Sequence, residues 1–488
     1  MFVFAAAFRL ALLYYFPVPY GNDAAGRLYF RDTVLFWHWL PVAQVLVYGS
    51  FALTHSILFI RCVFAIVSSL AAVAFTHYLQ GCSSRRTALI GGTLFATNPL
   101  LLFLSLMPYQ EVVFLGLMFG SLVFLSPNRN SLEVDGRQIA GWLLYGFACL
   151  TRYEAWFVLP ALLVAALWRA WAARKRAPVL PSLVITLVGL GWGPAMWMLI
   201  NALHWGSPTA FLFHIGGHQI YAWDPHAEWV RISTYVVHMM YWLARFGGPL
   251  LLFAVPGVLE AWRRRKALLP YLWPVLLLLL LVLIFLVFVA AREFATANRF
   301  ACIPLSIALV FVAIGLDSFW ERRSASGRLW TRILGTPVAR GVIAGVLLIC
   351  LLLYGAVPVM QANRLPEFRD PYEIAQFLQR HLRDGERAVV VAEHHAELRE
   401  AAPMPYQRIY GQLTLGKDEL LCAAFVDPRS IPSIEKFVQE QKIRYLVICR
   451  GTWPPHGSDS LFLSIAVPPQ GKLTTRLQSS LATVYEIE

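Results

Sequence analysis

Charge is scarce in this chain. Of its 488 residues only 14% are Asp, Glu, Lys or Arg, against 58% hydrophobic, and the mean hydropathy is +0.58. Such a balance excludes an ordinary soluble globular protein and fits many membrane spans with an appended soluble part. The seven cysteines include no CxxC and no Cys/His ligand spacing, which argues against a structural zinc site. The chain has no DxD motif and no convincing internal repeat, and its soluble tail beyond Leu365 has no Gly-rich phosphate loop and no GxSxG elbow, so the tail offers little sign of chemistry of its own.

What the chain does have is aromatic residues, 14% in all with 17 Trp, as suits many boundaries between lipid and water. Its net charge of +13 is unevenly placed. Ahead of Arg364 there are 26 basic and 12 acidic residues; from Arg364 onward there are 15 and 16. The excess therefore sits in short loops between apolar runs, which is a topology signal and speaks against nucleic acid as a partner.

Runs long enough to cross a bilayer predict eleven spans: 1–17, 56–79, 87–106, 112–126, 138–150, 155–172, 180–201, 234–259, 269–291, 300–319 and 338–358. The apolar stretch 35–53 is read as a helix near the interface, because Pro41 and the Trp37, His38, Trp39 cluster interrupt it. Alternate loops then carry 17 basic residues, among them Arg85, Arg86, Arg137 and Arg263, against 7 in the other set, Arg27, Arg31, Arg152, Arg231, Arg245, Arg292 and Arg299. The richer set is cytoplasmic by the positive-inside rule, which places the amino terminus inside and the tail outside a cytoplasmic (inner) membrane. The first span lacks a basic leader and a small-residue cleavage site, so it is read as a span and not a signal peptide, with a start upstream of Met1 left open. Gly116/Gly120 and Gly189/Gly193 form GxxxG pairs, read as close helix packing.

Two parts follow: a transmembrane domain, residues 1–360, with a first outer loop at 18–55, and a small soluble α/β domain, residues 361–488. In the latter, DPYEIAQFLQRHL and IPSIEKFVQEQK predict helices, and RAVVVA and IRYLVIC predict strands. Cys422 and Cys449 both lie in this tail and could pair in an oxidising compartment.

Three acids, Asp23, Glu111 and Glu154, each stand just beyond the outer end of a different span, and charge at a membrane is costly without a use. The first outer loop adds Arg27, four residues after Asp23, with Arg31 and Asp32 close behind. Glu111 follows Tyr109 in LMPYQEVVF, where it either caps a helix start or serves chemistry. Arg152 and Glu154 share LTRYE. Arg299 stands at an outer helix start, a position unfavourable for the helix dipole and therefore suited to meeting an anion. His214, His218, Asp224 and His226 crowd the loop 202–233; scattered histidines in a wet loop point to substrate contact more than to a metal. Carboxylates able to act as a base, beside guanidinium groups able to hold a phosphate, form the minimal kit for moving a group from a lipid-linked phosphate to a hydroxyl or amine.

In their order and sidedness these pieces resemble the membrane glycosyltransferases of the GT-C fold, in particular bacterial relatives of the protein O-mannosyltransferases (glycosyltransferase family 39) and the aminoarabinose transferases. The matching segments are Asn22-Asp23, the Trp39-Leu40-Pro41 stretch, Glu111, Leu150 to Glu154 and Asn298 to Leu305. Many relatives carry two adjacent acids in the first loop, whereas Asp23 lies between Asn22 and Ala24, which makes Asp32 a competitor. The resemblance implies an inverting transfer from a polyprenyl-phosphate sugar to a lipid, glycan or protein acceptor; no cofactor is expected, and a divalent metal is possible but has no support in the sequence. Asp23 would be the base, Arg152, Arg299 and Arg27 would meet the donor phosphate, and Glu111, Glu154, Tyr109 and His218 would orient substrate. A transporter or flippase of a lipid-linked or anionic substrate, and a metal-dependent oligosaccharyltransferase, are the alternatives.

Overall fold

The structure is a computed structural model. It describes residues 1–15, 24, 27, 28, 34, 35, 39–125, 135–172, 179–211, 237, 239–264, 298–326 and 337–362, together with 377, 380, 381 and six strands of the tail. The expected span 269–291 and the expected helix IPSIEKFVQEQK lie outside the described residues, as does Cys422 of the suggested cysteine pair.

Helices run in the order α1 (Phe2–Tyr15), α2 (Pro41–Thr54), α3 (Ile57–Cys82), α4 (Arg85–Thr97), α5 (Pro99–Ser105), α6 (Gln110–Leu125), α7 (Gly136–Cys149), α8 (Glu154–Ala172), α9 (Val179–Trp205), α10 (Ala254–Arg263), α11 (Cys302–Ser326) and α12 (Pro337–Ala362). Among the described residues, four helical runs qualify as spans by length and hydropathy: Ile57–Cys82, Val184–Trp205, Met239–Arg263 and Cys302–Phe319. The expected span 87–106 is a bent pair, α4 and α5, turned by 60°. Pro99 cannot donate to a continuing helix, and Asn98 caps the new one, its Oδ1 accepting from the amides of Leu100 (3.0 Å) and Leu101 (3.3 Å). Large apolar side chains such as Leu203 (79% exposed), Leu252 and Val188 point outward along the bundle, a surface that only lipid satisfies. The chain is a polytopic α-helical membrane protein.

Local chemistry sets the helix starts. Ser56, Ser84 and Asp135 each precede a helix and accept a hydrogen bond from a first-turn amide, at Phe59, Thr87 and Gln138. Small residues then let helices meet. A Cβ on Gly116 would come within 3.0 Å of Ala71 on α3, and one on Gly193 would fall 2.4 Å from the Gly146 carbonyl on α7, so both GxxxG pairs do serve close packing. Phe75, Phe95 and Phe119 interlock where α3, α4 and α6 converge, with ring centroids 4.7 and 4.9 Å apart. At the bundle end remote from Glu111, Asp317 of α11 accepts from Ser84 (2.8 Å) and Thr87 and faces Arg86, which fastens α11 to the start of α4.

In the tail, a four-stranded sheet has the order β1 (Arg387–Ala392), β4 (Ile443–Cys449), β6 (Ala482–Ile487), β5 (Leu473–Gln478). β1 and β4 are the RAVVVA and IRYLVIC segments; they pair parallel, while β6 is antiparallel to β4 and β5. Thr414–Leu415 and Glu419–Leu420 form a separate two-stranded ladder, β2 with β3. Phe377, Arg380 and His381 of the first expected tail helix are helical, and the Phe377 ring packs 5.7 Å from that of Tyr445 in β4. Glu486 of β6 accepts from Arg444 (2.9 Å) and Arg476 (2.5 Å); burial alone would raise its pKa, but these two guanidinium groups hold it below the ordinary carboxylate value.

Candidate active site

Four helix ends meet on one side of the bundle. The first contributor is the turn 106–109 that leads into α6. Arg61, the one charge inside α3, donates from Nε to the Leu106 carbonyl (2.9 Å) and so fixes this turn from the side. α6 begins at Gln110, and Glu111, fully buried in its first turn, sits where helix amides favour a carboxylate.

The second contributor is the turn from α7 to α8, the LTRYE segment. Amides of Thr151 and Arg152 both donate to the Ala148 carbonyl at 3.0 Å, and the Ala155 amide returns to the Arg152 carbonyl at 3.2 Å. Two aromatic side chains brace it: Tyr145 Oη donates to the Ala155 carbonyl (2.7 Å) and Trp156 Nε1 to the Cys149 carbonyl (2.8 Å). The Trp39-Leu40-Pro41 stretch docks directly on this turn. The Val42 amide donates to the Leu150 carbonyl at 3.1 Å, and Leu40 packs with Leu150, Trp197 and Phe211. Two motifs more than a hundred residues apart in the chain thus form one unit.

Arg152 is the hub. Its Nε donates to both Glu154 oxygens at 3.0 Å, Nη2 makes a further bond to Glu154, and Nη1 bonds Glu111. Burial works against its charge, yet the carboxylates of Glu154 and Glu111 outweigh that and hold it firmly protonated. Arg299, on the 3-10 turn Asn298–Ala301 that opens α11, places Nε 3.8 Å from the same Glu111 oxygen and remains partly exposed (16%). Glu111 therefore lies between two guanidinium groups. Its Oε2 is buried without a hydrogen-bond partner among the described residues, so the cluster keeps one acceptor in reserve.

Arg27 brings in the segment between α1 and α2. Fully buried, it donates from Nη2 to Gln110 Oε1 (2.5 Å) and from Nη1 to Gln44 Oε1 (3.4 Å), while Gln44 Nε2 donates back to the Arg27 carbonyl (3.3 Å). The guanidinium lies 4.6 Å over the Trp39 ring, a cation–π contact. Gln110 is the neighbour of Glu111, so the loop and the acid cluster are one residue apart. Tyr109 is buried in the same turn, its ring 6.3 Å from that of Phe103.

Of the expected site residues, Arg27, Tyr109, Glu111, Arg152, Glu154 and Arg299 are therefore gathered at one end of the bundle. Asp23, Asp32 and His218 lie outside the described residues. Among the described residues no group of three His, Cys, Asp or Glu is placed to hold a metal ion.

Two crystal structures of ArnT from Cupriavidus metallidurans, one bound to undecaprenyl phosphate and one in the apo state, match with TM-scores of 0.60 and 0.57. Identity is 16% and 14%, and each alignment covers 99% of this chain and 97% of ArnT. The fold is the GT-C fold. The archaeal oligosaccharyltransferase AglB from Archaeoglobus fulgidus, in complex with an inhibitory peptide and a dolichol-phosphate, is similar at 14% identity over 92% of this chain and 69% of its own length, with a TM-score of 0.48. No protein-family model matches the sequence, and no curated protein matches it either. The resemblance carried by a few short motifs thus holds at the level of the whole GT-C architecture.

Sequence reasoning passed over the residues that hold this cluster together: Arg61, Gln44, Gln110 and Tyr145. Arg61 had a signal, a lone charge inside the apolar run 56–79. The two glutamines had none, because an uncharged amide gives no sign of the arginine it will meet.

Proposed function

We propose that this chain transfers a sugar from a polyprenyl-phosphate-linked donor to an acceptor hydroxyl or amine at the outer face of the cytoplasmic membrane. The observation that carries the reading is the buried Glu111, Arg152, Glu154, Arg299 cluster at one end of a GT-C bundle. The undecaprenyl phosphate bound in one ArnT structure supports a lipid-linked phosphate as the donor's leaving group.

In this reading Asp23, with Asp32 as its competitor, removes the acceptor proton as the acceptor oxygen or nitrogen attacks the anomeric carbon. The bond from that carbon to the phosphate oxygen breaks with inversion, and the electron pair leaves on the polyprenyl phosphate. Arg299, partly exposed at the cluster's rim, meets the developing phosphate charge. Arg152 and Arg27, already engaged by carboxylates and by Gln44 and Gln110, hold the geometry around it and add positive potential. Glu111 offers Oε2 to a hydroxyl or amine of the substrate, and Glu154, Tyr109 and His218 shape its surroundings. The proposal includes eleven spans, an inside amino terminus, and residues 361–488 as an outer soluble domain.

The test is direct. Purified protein is incubated with a panel of polyprenyl-phosphate sugars, and release of polyprenyl phosphate is measured with and without candidate lipid, glycan and peptide acceptors. At least one donor should release it in an acceptor-dependent way; none doing so, with folded protein, would overturn the reading.

A further inference from the structure

The end of the bundle remote from Glu111 carries a second feature. α3, α6 and α7 leave a cavity of about 260 Å³ between them, at the last turns of α3 and α6 and the first turn of α7. His77, Gln80 and Arg137 line it with polar atoms, beside the Tyr78 ring, and Leu122 and Val123 form its apolar wall. From Arg61, at the level of the acid cluster, to His77 is sixteen residues of one helix, about 24 Å of axial rise. The cavity thus lies near the opposite boundary of the apolar layer.

Its electrostatics are one-sided. Neither His77 nor Arg137 makes an ion pair or hydrogen bond among the described residues, and both are exposed. The nearest described acids are engaged elsewhere: Asp135 caps α7 through the Gln138 amide (2.8 Å), and Asp317 is held by Ser84, Thr87 and Arg86. Arg85, exposed just past the end of α3, adds positive potential on the same face. A cationic rim over an apolar wall at a bilayer boundary complements one class of ligand, a phosphate head with acyl chains attached.

We infer that this cavity is a binding site for an anionic phospholipid, with Arg137 and His77 on the headgroup phosphate and the acyl chain against Leu122 and Val123. Such a site is separate from the one that would hold a donor, and lipid bound there pins the ends of α3, α6 and α7 to the membrane boundary.

The experiment is native mass spectrometry of the full-length protein, purified in detergent and exchanged with phosphatidylglycerol or phosphatidylcholine of the same acyl chains. The wild type should retain phosphatidylglycerol over phosphatidylcholine. Arg137→Gln should lower that retention about five-fold, the effect of one surface cation on an anionic lipid, and the Arg137→Gln/His77→Ala pair should lower it further. Both residues are exposed, so the variants should elute as the wild type does on size exclusion. Equal retention of the two lipids, unchanged retention in the double variant, or equally tight binding of glycerol phosphate without acyl chains would each overturn the assignment. The readout is lipid mass, so the result stands apart from whether sugar transfer is confirmed.

Discussion

Arg152 donates to two carboxylates at once, Glu154 two residues on and Glu111 41 residues back in the chain. A buried charge whose partner is removed is left uncompensated, so Arg152→Gln should cost about 3–5 kcal/mol. The check is thermal unfolding in detergent, with exposed Arg85→Gln as a control that should not move. Arg152→Lys should behave nearly as badly, because an ammonium group cannot form the paired bonds to Glu154 while reaching Glu111. Gln110 supplies the test of coupling between the segment that joins α1 to α2 and the acids. Gln110→Ala should leave a buried guanidinium donor unmatched, at about 1–3 kcal/mol, and lower transfer activity, whereas Gln110→Glu, which restores an acceptor for Arg27, should recover most of the lost stability. If the alanine and glutamate variants were equally impaired, the Arg27 bond would not be what matters.

At the scale of elements, the site depends on where helices stop. α4 and α5 turn by 60° at Asn98, which caps α5 and also donates to the Phe246 carbonyl at 2.8 Å, so the break is anchored on both sides. The sequence showed an apolar run through 87–106 and an Asn-Pro step, and hydropathy alone does not distinguish a straight span from a bent one. Close approach of α7 and α9 rests on Gly193 against the Gly146 carbonyl. Gly193→Val should displace α9, loosen the turn 150–153 that α9 supports through Trp197 Nε1 on Tyr153 Oη (3.1 Å), and reduce the yield of monodisperse protein. A Gly191→Val variant, whose Cβ would meet nothing within 4 Å, should be tolerated; equal damage from both would show that α7 and α9 do not depend on that contact.

The whole molecule was legible where lipid imposes simple rules. Helices at Ile57–Cys82, Val184–Trp205, Met239–Arg263 and Cys302–Phe319, a helix from Pro41 within the expected 35–53 stretch, and the strands RAVVVA and IRYLVIC follow from apolar length, Pro placement and alternation. The cluster was legible as separate charges at helix ends; that Arg152 binds both Glu111 and Glu154 was not, since pairing across 41 residues depends on how α6 and α7 pack. Glutamines 44 and 110 were invisible for a different reason, being polar residues without charge or period. Sidedness belongs to this scale too. In a cysteine-free background, a cysteine at Arg85 should be shielded from an impermeant maleimide in intact cells and one at Thr475 in β5 should react; both reacting alike would refute the topology. The most direct measurement of the account is release of polyprenyl phosphate from a donor sugar by the wild type and by folded Asp23→Asn. Release by the wild type and a loss of at least about a hundred-fold in the variant, as expected when a general base is removed, is the predicted result. Full release by Asp23→Asn would contradict it.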